Sequence, residues 1–141
     1  MLRILQVNNK EDLKFLRKIS KEISLDEIKS EKFQSFLDDL IYTAKNTETE
    51  EGYRAAGLAA VQVGRNIRVF TILRDTGEFE IMINPQIKVI KPTCIVGEEA
   101  CLSIPNTLGN VERVKKIKVV YIDKDGKKRK GIFSNWEARE I

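Results

Sequence analysis

The chain has 141 residues, a mass of 16.2 kDa and a formal net charge of +4 at pH 7. Its length suits one domain with a single core, and its 42% hydrophobic and 33% charged residues argue against a disordered tail. No apolar run is long enough to span a bilayer, and the first residues lack the apolar core of a secretory signal. We therefore expect one cytoplasmic domain, residues 1–141, with no membrane contact.

The first third of the chain predicts helices. Residues 1–28 form an arm in which Leu13 to Ile23 is a short amphipathic segment. Ser30 is a suitable N-cap for the next helix, and the polar run from Asn46 to Gly52 predicts the loop that follows it. The apolar side chains of this helix recur at the spacing of one helical face: Phe33, Phe36, Leu37, Leu40, Ile41 and Ala44.

Strand patterns follow. Arg68 to Leu73 is rich in β-branched and aromatic residues, and Asp75 to Gly77 predicts a turn after it. Phe79 to Asn84 alternates between apolar and polar residues, and we expect this strand to stop at Pro85, because proline cannot donate to a sheet ladder.

The second half predicts more strands and a hairpin. Ile87 to Ile90 and Ile117 to Ile122 have strand patterns, and Asp125-Gly126 is typical of a tight hairpin turn. The predicted fold class is α+β, with one early amphipathic helix followed by a mostly antiparallel meander.

The last residues predict the start of a helix. Ser134 and Glu137 have the spacing of a capping box. Only about two turns follow, fewer than an isolated helix needs, although Trp136 and Ile141 could dock on the sheet.

A cluster of positive charge precedes this segment. A contact with nucleic acid or with the ribosome is one interpretation, because clustered cations release counterions from phosphate. The favoured interpretation is a solvated face of a strand pair, since no aromatic residues alternate with the cations. The cluster comprises Lys115, Lys116, Lys118, Lys124, Lys127, Lys128, Arg129 and Lys130.

The two cysteines, Cys94 and Cys101, are not expected to form a disulfide in a reducing compartment. Glu98 and Glu99 precede Cys101, and their negative charge opposes a nucleophilic thiolate. A divalent metal reverses this effect by deprotonating a thiol that coordinates it. Cys101 is therefore either a metal ligand or a buried small apolar residue.

The segment from Ala55 to Gly64 is rich in small residues. At Gly57 another backbone could approach closely. The amide of Gln62 needs a partner within its apolar surroundings, which could be a substrate oxygen or the local backbone.

Together, these segments resemble the peptide deformylases, which remove the formyl group from new bacterial and organellar proteins. The residues that carry the resemblance are GLAAVQVG at 57–64 and EEACLSIP at 98–105, with INP at 83–85, GNVER at 109–113 and IKVVYIDKDG at 117–126 in the same order. Ala55 and Ala100 stand where the family usually has glycine. The resemblance implies a peptide-deformylase-like α+β fold.

The resemblance also implies residue roles. Gln62 and the Leu102 backbone N–H would donate to the formyl oxygen as it becomes tetrahedral. Cys101 would be a ligand of the catalytic Fe(II), or of zinc, nickel or cobalt. Gly57 would pair with the backbone of an N-formylmethionyl peptide or nascent chain, and Ala56 would border the methionine pocket.

One departure is severe, because the chain contains no histidine. The family completes its site with H-E-x-x-H on a C-terminal helix, and residues 134–141 resemble only the first turns of that helix. We therefore expect a domain that is truncated at its C-terminus, lacks two metal ligands and the general base, binds metal weakly or not at all, and is inactive as a hydrolase. Two alternatives are a pseudoenzyme that binds N-terminal peptides and a structural protein that self-associates through an exposed core face.

Overall fold

Helices dominate the N-terminal part of the computed structural model, which describes residues 1–49 and 52–141. The α-helices are α1 (Lys10–Leu16), α2 (Leu25–Ile28), α3 (Glu31–Lys45) and α4 (Asn135–Glu140), and a 3-10 helix spans Ala60–Val63. The strands are β1 (Gly57–Ala59), β2 (Val69–Leu73), β3 (Phe79–Cys101), β4 (Ile104–Ile122) and β5 (Lys128–Ser134). The predicted α+β class is confirmed.

The predicted amphipathic helix is α3, and its cap is confirmed because the Ser30 hydroxyl accepts from the Phe33 N–H at 3.3 Å.

The predicted bounds of the first segment, Leu13 to Ile23, were wrong. Helix α1 begins earlier because the Asn9 side chain accepts from two backbone N–H groups of its first turn, at 3.0 and 3.1 Å. Of the loop predicted after α3, residues 50 and 51 lie outside the described residues.

The five strands form one antiparallel sheet in the order β1-β2-β3-β4-β5, which confirms the predicted meander. Gly77 and Gly126 have positive φ angles of 84° and 80° at the two predicted turns. A residue with a Cβ would be strained in this region of backbone conformation.

The prediction that a strand stops at Pro85 was wrong, because β3 continues to Cys101. The pairing of β3 with β4 shifts register between Ile83 and Gln86, so Pro85 lies in a bulge that requires no ladder donor. Asn84 has a φ of 49°, and its side-chain amide exchanges hydrogen bonds of 3.0 and 2.8 Å with the backbone of Ile23.

Two apolar clusters hold these elements together. In the first, α3 packs on the sheet through fully buried side chains such as Leu37 and Leu40, which share a cluster with Leu58 and Ile83. The second lies under α4 and contains Met82, Ile117, Val119, Phe133 and Ala138, with Ile141 packed against it. No helix among the described residues is both long and apolar enough to cross a membrane.

Helix α4 is fixed by an ionic contact rather than by the predicted capping box. The Ser134 side chain makes no capping hydrogen bond, and Asn135 enters the helix with a φ of 55°. Instead, the buried Glu137 carboxylate accepts from Arg74 Nε at 2.7 Å and from the Asp75 N–H at 3.3 Å. The indole of Trp136 also donates to the Asp75 carboxylate at 2.6 Å.

Candidate functional site

Cys101 lies at the tip of the long β3–β4 hairpin. It pairs with Ile104, so Leu102 and Ser103 form the turn between the two strands. The thiol is free and exposed, whereas Ser103 is only 4% exposed. The alternative that Cys101 is a buried apolar residue is therefore wrong.

The Gln62 side chain faces this tip from the 3-10 helix. Its Oε1 accepts from the Ala59 N–H at 2.9 Å, and its Nε2 donates to Ser103 Oγ at 3.1 Å. Because the Ala59 N–H requires an acceptor, it fixes which end of the amide carries the donors. The amide nitrogen also lies 3.8 Å from Cys101 Sγ. Gln62 thus caps local backbone with its oxygen and presents its donor end beside the thiol.

The N-terminal arm braces both halves of this arrangement. The Leu5 N–H donates to the Gln62 carbonyl at 2.7 Å, and the Val7 N–H donates to the Ser103 carbonyl at 2.9 Å. The side-chain bond from Gln62 to Ser103 then joins the 3-10 helix to the hairpin turn. Ser103 is thus a positioning residue, and its sequence context offers no signal for this role except its place two residues after Cys101.

One groove brings the predicted residues together. It has a volume of about 500 Å³, within the range of small-ligand pockets. A second groove of about 320 Å³ meets Cys101 and Leu102 from the side of the N-terminal arm. All five residues singled out in the sequence line the larger groove: Ala56, Gly57, Gln62, Cys101 and Leu102.

Gly57 lies on β1, which is an edge strand of the described sheet. A Cβ added to Gly57 would lie 3.2 Å from the Thr71 carbonyl oxygen of the neighbouring strand. The absence of a side chain therefore lets β1 sit close to β2 at the wall of the groove.

Of the two acidic residues before Cys101, Glu99 is not a free ligand. Arg113 binds both carboxylate oxygens of Glu99, at 3.0 and 2.8 Å, and Arg139 Nε lies 3.0 Å from the same carboxylate. The hydrogen bond from Arg113 lowers the pKa of Glu99 below its ordinary value. Partial desolvation in the groove, together with the Glu99 charge, raises the pKa of Glu140.

Arg139 contacts the backbone of the hairpin in addition to the Glu99 carboxylate. Its guanidinium donates to the Gly97 carbonyl at 2.9 Å and the Val111 carbonyl at 2.7 Å, one on each strand. A Cβ on Gly97 would lie 2.7 Å from Arg139 Nη2, so only glycine leaves room for this approach. The sequence carries no signal for the contact, because Arg139 is about 40 residues from Gly97 along the chain.

The donors around Cys101 do not fit a firmly held divalent metal. Catalytic zinc-type sites use three protein ligands and an open position. The described residues contain no group of three or more His, Cys, Asp or Glu side chains that could hold a metal ion. The sequence has no histidine, and arginines occupy the Glu99 carboxylate.

Two substitutions separate the roles of Gly57 and Cys101 in stability. We expect Gly57→Val to lower the free energy of unfolding by about 1–3 kcal/mol, because the added atoms collide with backbone. Cys101→Ala should change it by less than about 0.5 kcal/mol, since the thiol is exposed. Thermal melts of the two variants provide the comparison, and equal losses would contradict this assignment.

Comparison with known proteins agrees with the resemblance in the sequence. The family model for polypeptide deformylase matches residues 1–141. A peptide deformylase from Fusobacterium nucleatum is 36% identical over 123 residues, which cover 87% of this chain and 67% of that protein. Peptide deformylase 3 from Shewanella oneidensis is 41% identical over 99 residues, covering 69% of this chain and 57% of the relative.

Solved structures show the same similarity. Peptide deformylase from Thermotoga maritima superposes with a TM-score of 0.82 at 32% identity, covering 99% of this chain and 85% of that one. A Met-Ala-Ser-bound class I type b peptide deformylase from Acinetobacter baumannii gives a TM-score of 0.83 at 28% identity, covering 99% and 87% of the two chains. The α+β architecture is thus the peptide-deformylase fold, and the chain belongs to the polypeptide deformylase family.

Proposed function

We propose that this chain carries the peptide-binding half of a deformylase site, and that its 141 residues do not hydrolyse the formyl group alone. The observation that carries the proposal is the composition of the groove. The groove is lined by five residues that match binding positions of the family. Of the three metal ligands expected from the family, one cysteine and two histidines, this chain provides the cysteine, Cys101, and contains no histidine.

The substrate class is an N-formylmethionyl peptide. An extended peptide can add to the edge strand β1 through backbone hydrogen bonds, with Gly57 as the proposed pairing residue. Ala56 borders the space for the methionine side chain. The Gln62 amide and the Leu102 N–H are the proposed donors to the formyl oxygen, and the Met-Ala-Ser ligand of the Acinetobacter relative supports a peptide of this kind.

Hydrolysis needs more than these residues. In metal-dependent hydrolases the metal supplies an acidified water, and a general base relays its proton. Here the single thiolate of Cys101 cannot fix a coordination geometry, and no histidine is present to assist it. We propose that two further ligands and a base must come from outside these 141 residues, so that the domain is incomplete as a catalyst.

Exposed apolar side chains support a second candidate function, as an interaction protein that associates with its own copies. Several of them lie along the long β3–β4 hairpin, and exposed apolar surface favours association: Ile87, Val89, Ile95, Val96, Ile104 and Leu108. Sedimentation velocity tests this candidate. A concentration-dependent dimer supports it, and a monomer across the concentration range contradicts it.

Titration calorimetry with formyl-Met-Ala-Ser tests peptide binding. We expect saturable binding with a Kd at or below about 1 mM, equivalent to roughly −4 kcal/mol. Gly57→Val and Gln62→Leu should each weaken it at least tenfold, whereas Thr76→Val, in the exposed turn before β3, should not. Absence of binding to a folded chain at millimolar peptide would contradict the proposal.

A further inference from the structure

The predicted basic cluster of the sequence divides into two groups in the structure. Some of its cations are neutralised: Lys124 pairs with Asp38, and Arg129 donates to Asp123 at 2.6 Å. Others project from one face of the sheet, where the register places further lysines beside them. This surface, here called the lysine face, consists of Lys88, Lys91, Lys116, Lys118, Lys128 and Lys130.

The register of three strands creates the lysine face. Lys88 is directly opposite Lys118, and Lys91 is opposite Lys116, so each pair shares a side of the sheet. On β5, Lys128 and Lys130 are opposite Ile122 and Val120, which follow Lys116 and Lys118 at two-residue steps and so lie on the same side of β4. The reverse side of β4 is buried at Ile117, Val119 and Tyr121, whereas the six lysines are exposed or half-buried. They lie beside the part of the same side that α3 covers, where Ile122 packs against the α3 cluster.

The charge of the lysine face is not balanced by carboxylates in the part of the chain that the structure describes. Among the residues that the structure describes, none of the six ammonium groups lies within the 4.0 Å ion-pair distance of a carboxylate. Like charges opposite each other destabilise a sheet. Protection of a sheet edge accounts for lysines on the edge strand β5, but Lys116 and Lys118 lie on the interior strand β4.

We propose that the lysine face binds the phosphate backbone of a double-helical nucleic acid. Three adjacent strands about 4.8 Å apart, with about six residues of rise, give a flat surface roughly 10 Å by 20 Å. A duplex carries one negative charge per ~1.7 Å of its axis, or on the order of ten phosphates over that length. The face holds no aromatic residue on which an unpaired base could stack, so the complementary partner is a duplex backbone, recognised without regard to base sequence.

Fluorescence anisotropy with a labelled duplex of about 20 base pairs tests the proposal, with salt varied from about 50 to 200 mM. The quadruple variant Lys88→Gln, Lys116→Gln, Lys118→Gln and Lys130→Gln should bind at least tenfold more weakly. The slope of log affinity against log salt should become shallower by about 3 to 4, at ~0.9 per lost phosphate contact in a B-form duplex. Two unrelated duplex sequences should bind equally.

The control removes the same charge from the helices: Lys10→Gln, Lys14→Gln, Lys32→Gln and Lys45→Gln, all exposed. The control variant should still bind the duplex. An equal loss of affinity in both variants would overturn the proposal, because binding would then depend on the net charge of the chain and not on the lysine face. Binding to phosphatidylserine vesicles but not to the duplex would also overturn it. The Tm of the quadruple variant should be unchanged or higher, because the substitutions remove the repulsion between Lys88 and Lys118. Measuring this Tm shows whether the variant is folded, so that weakened binding is not mistaken for unfolding.

Discussion

Glu137→Ala is expected to lower the free energy of unfolding by about 3 kcal/mol, because a buried ion pair loses one partner. Glu137 accepts from Arg74 and from the backbone of Asp75. Arg74 also bonds to Glu80, which accepts from the Tyr121 hydroxyl, so the substitution leaves a desolvated guanidinium with half of its partners. The same network holds α4 on the sheet, and chemical denaturation measures the loss.

Glu78→Ala is the matched control. Glu78 is exposed, lies in the turn before β3 and takes part in no ion pair among the described residues. Its replacement should change the free energy of unfolding by less than about 0.5 kcal/mol. Equal effects of the two substitutions would show that the contact between α4 and the sheet does not stabilise the fold.

Arg139→Ala is expected to cost about 2–3 kcal/mol and to loosen the tip of the hairpin. The guanidinium donates to carbonyl groups of Ile95, Gly97 and Val111, and it pairs with Glu99. Charge-assisted hydrogen bonds of this kind each contribute more than neutral ones. Amide hydrogen exchange should therefore accelerate near Cys101, while α3 keeps its protection.

Two further variants make this prediction specific. Arg139→Lys should restore only part of the stability, because an ammonium cannot reproduce the planar fork of donors. Arg17→Ala, in an exposed position outside the ion pairs of the described residues, should have little effect. If exchange near Cys101 were unchanged in Arg139→Ala, Arg139 would not position the hairpin.

The sequence predicts the elements whose signals are local. The apolar spacing of α3, its Ser30 cap and the turns at Gly77 and Gly126 depend on neighbouring residues, and the structure confirms them. The family similarly follows from short motifs that keep their order along the chain, and the matching family model confirms it.

The missed features depend on contacts between distant residues. Pro85 interrupts a strand only if its missing N–H is required, and the bulge stabilised by Asn84 and Ile23 removes that requirement. Ser103 and Arg139 gain their roles from partners about 40 residues away. Lys88 joins the lysine face solely through the β3–β4 register. Sequence periodicity contains none of these pairings.

The proposed absence of hydrolysis is tested most directly by release of formate from formyl-Met-Ala-Ser. The purified 141-residue polypeptide would be supplied in turn with Fe(II), Ni(II) and Zn(II), and its metal content would be measured after gel filtration. With Cys101 as a lone ligand, we predict well under one equivalent of metal and no formate above the metal-only blank. One full equivalent of bound metal, or formate release that disappears in Cys101→Ala, would contradict this account.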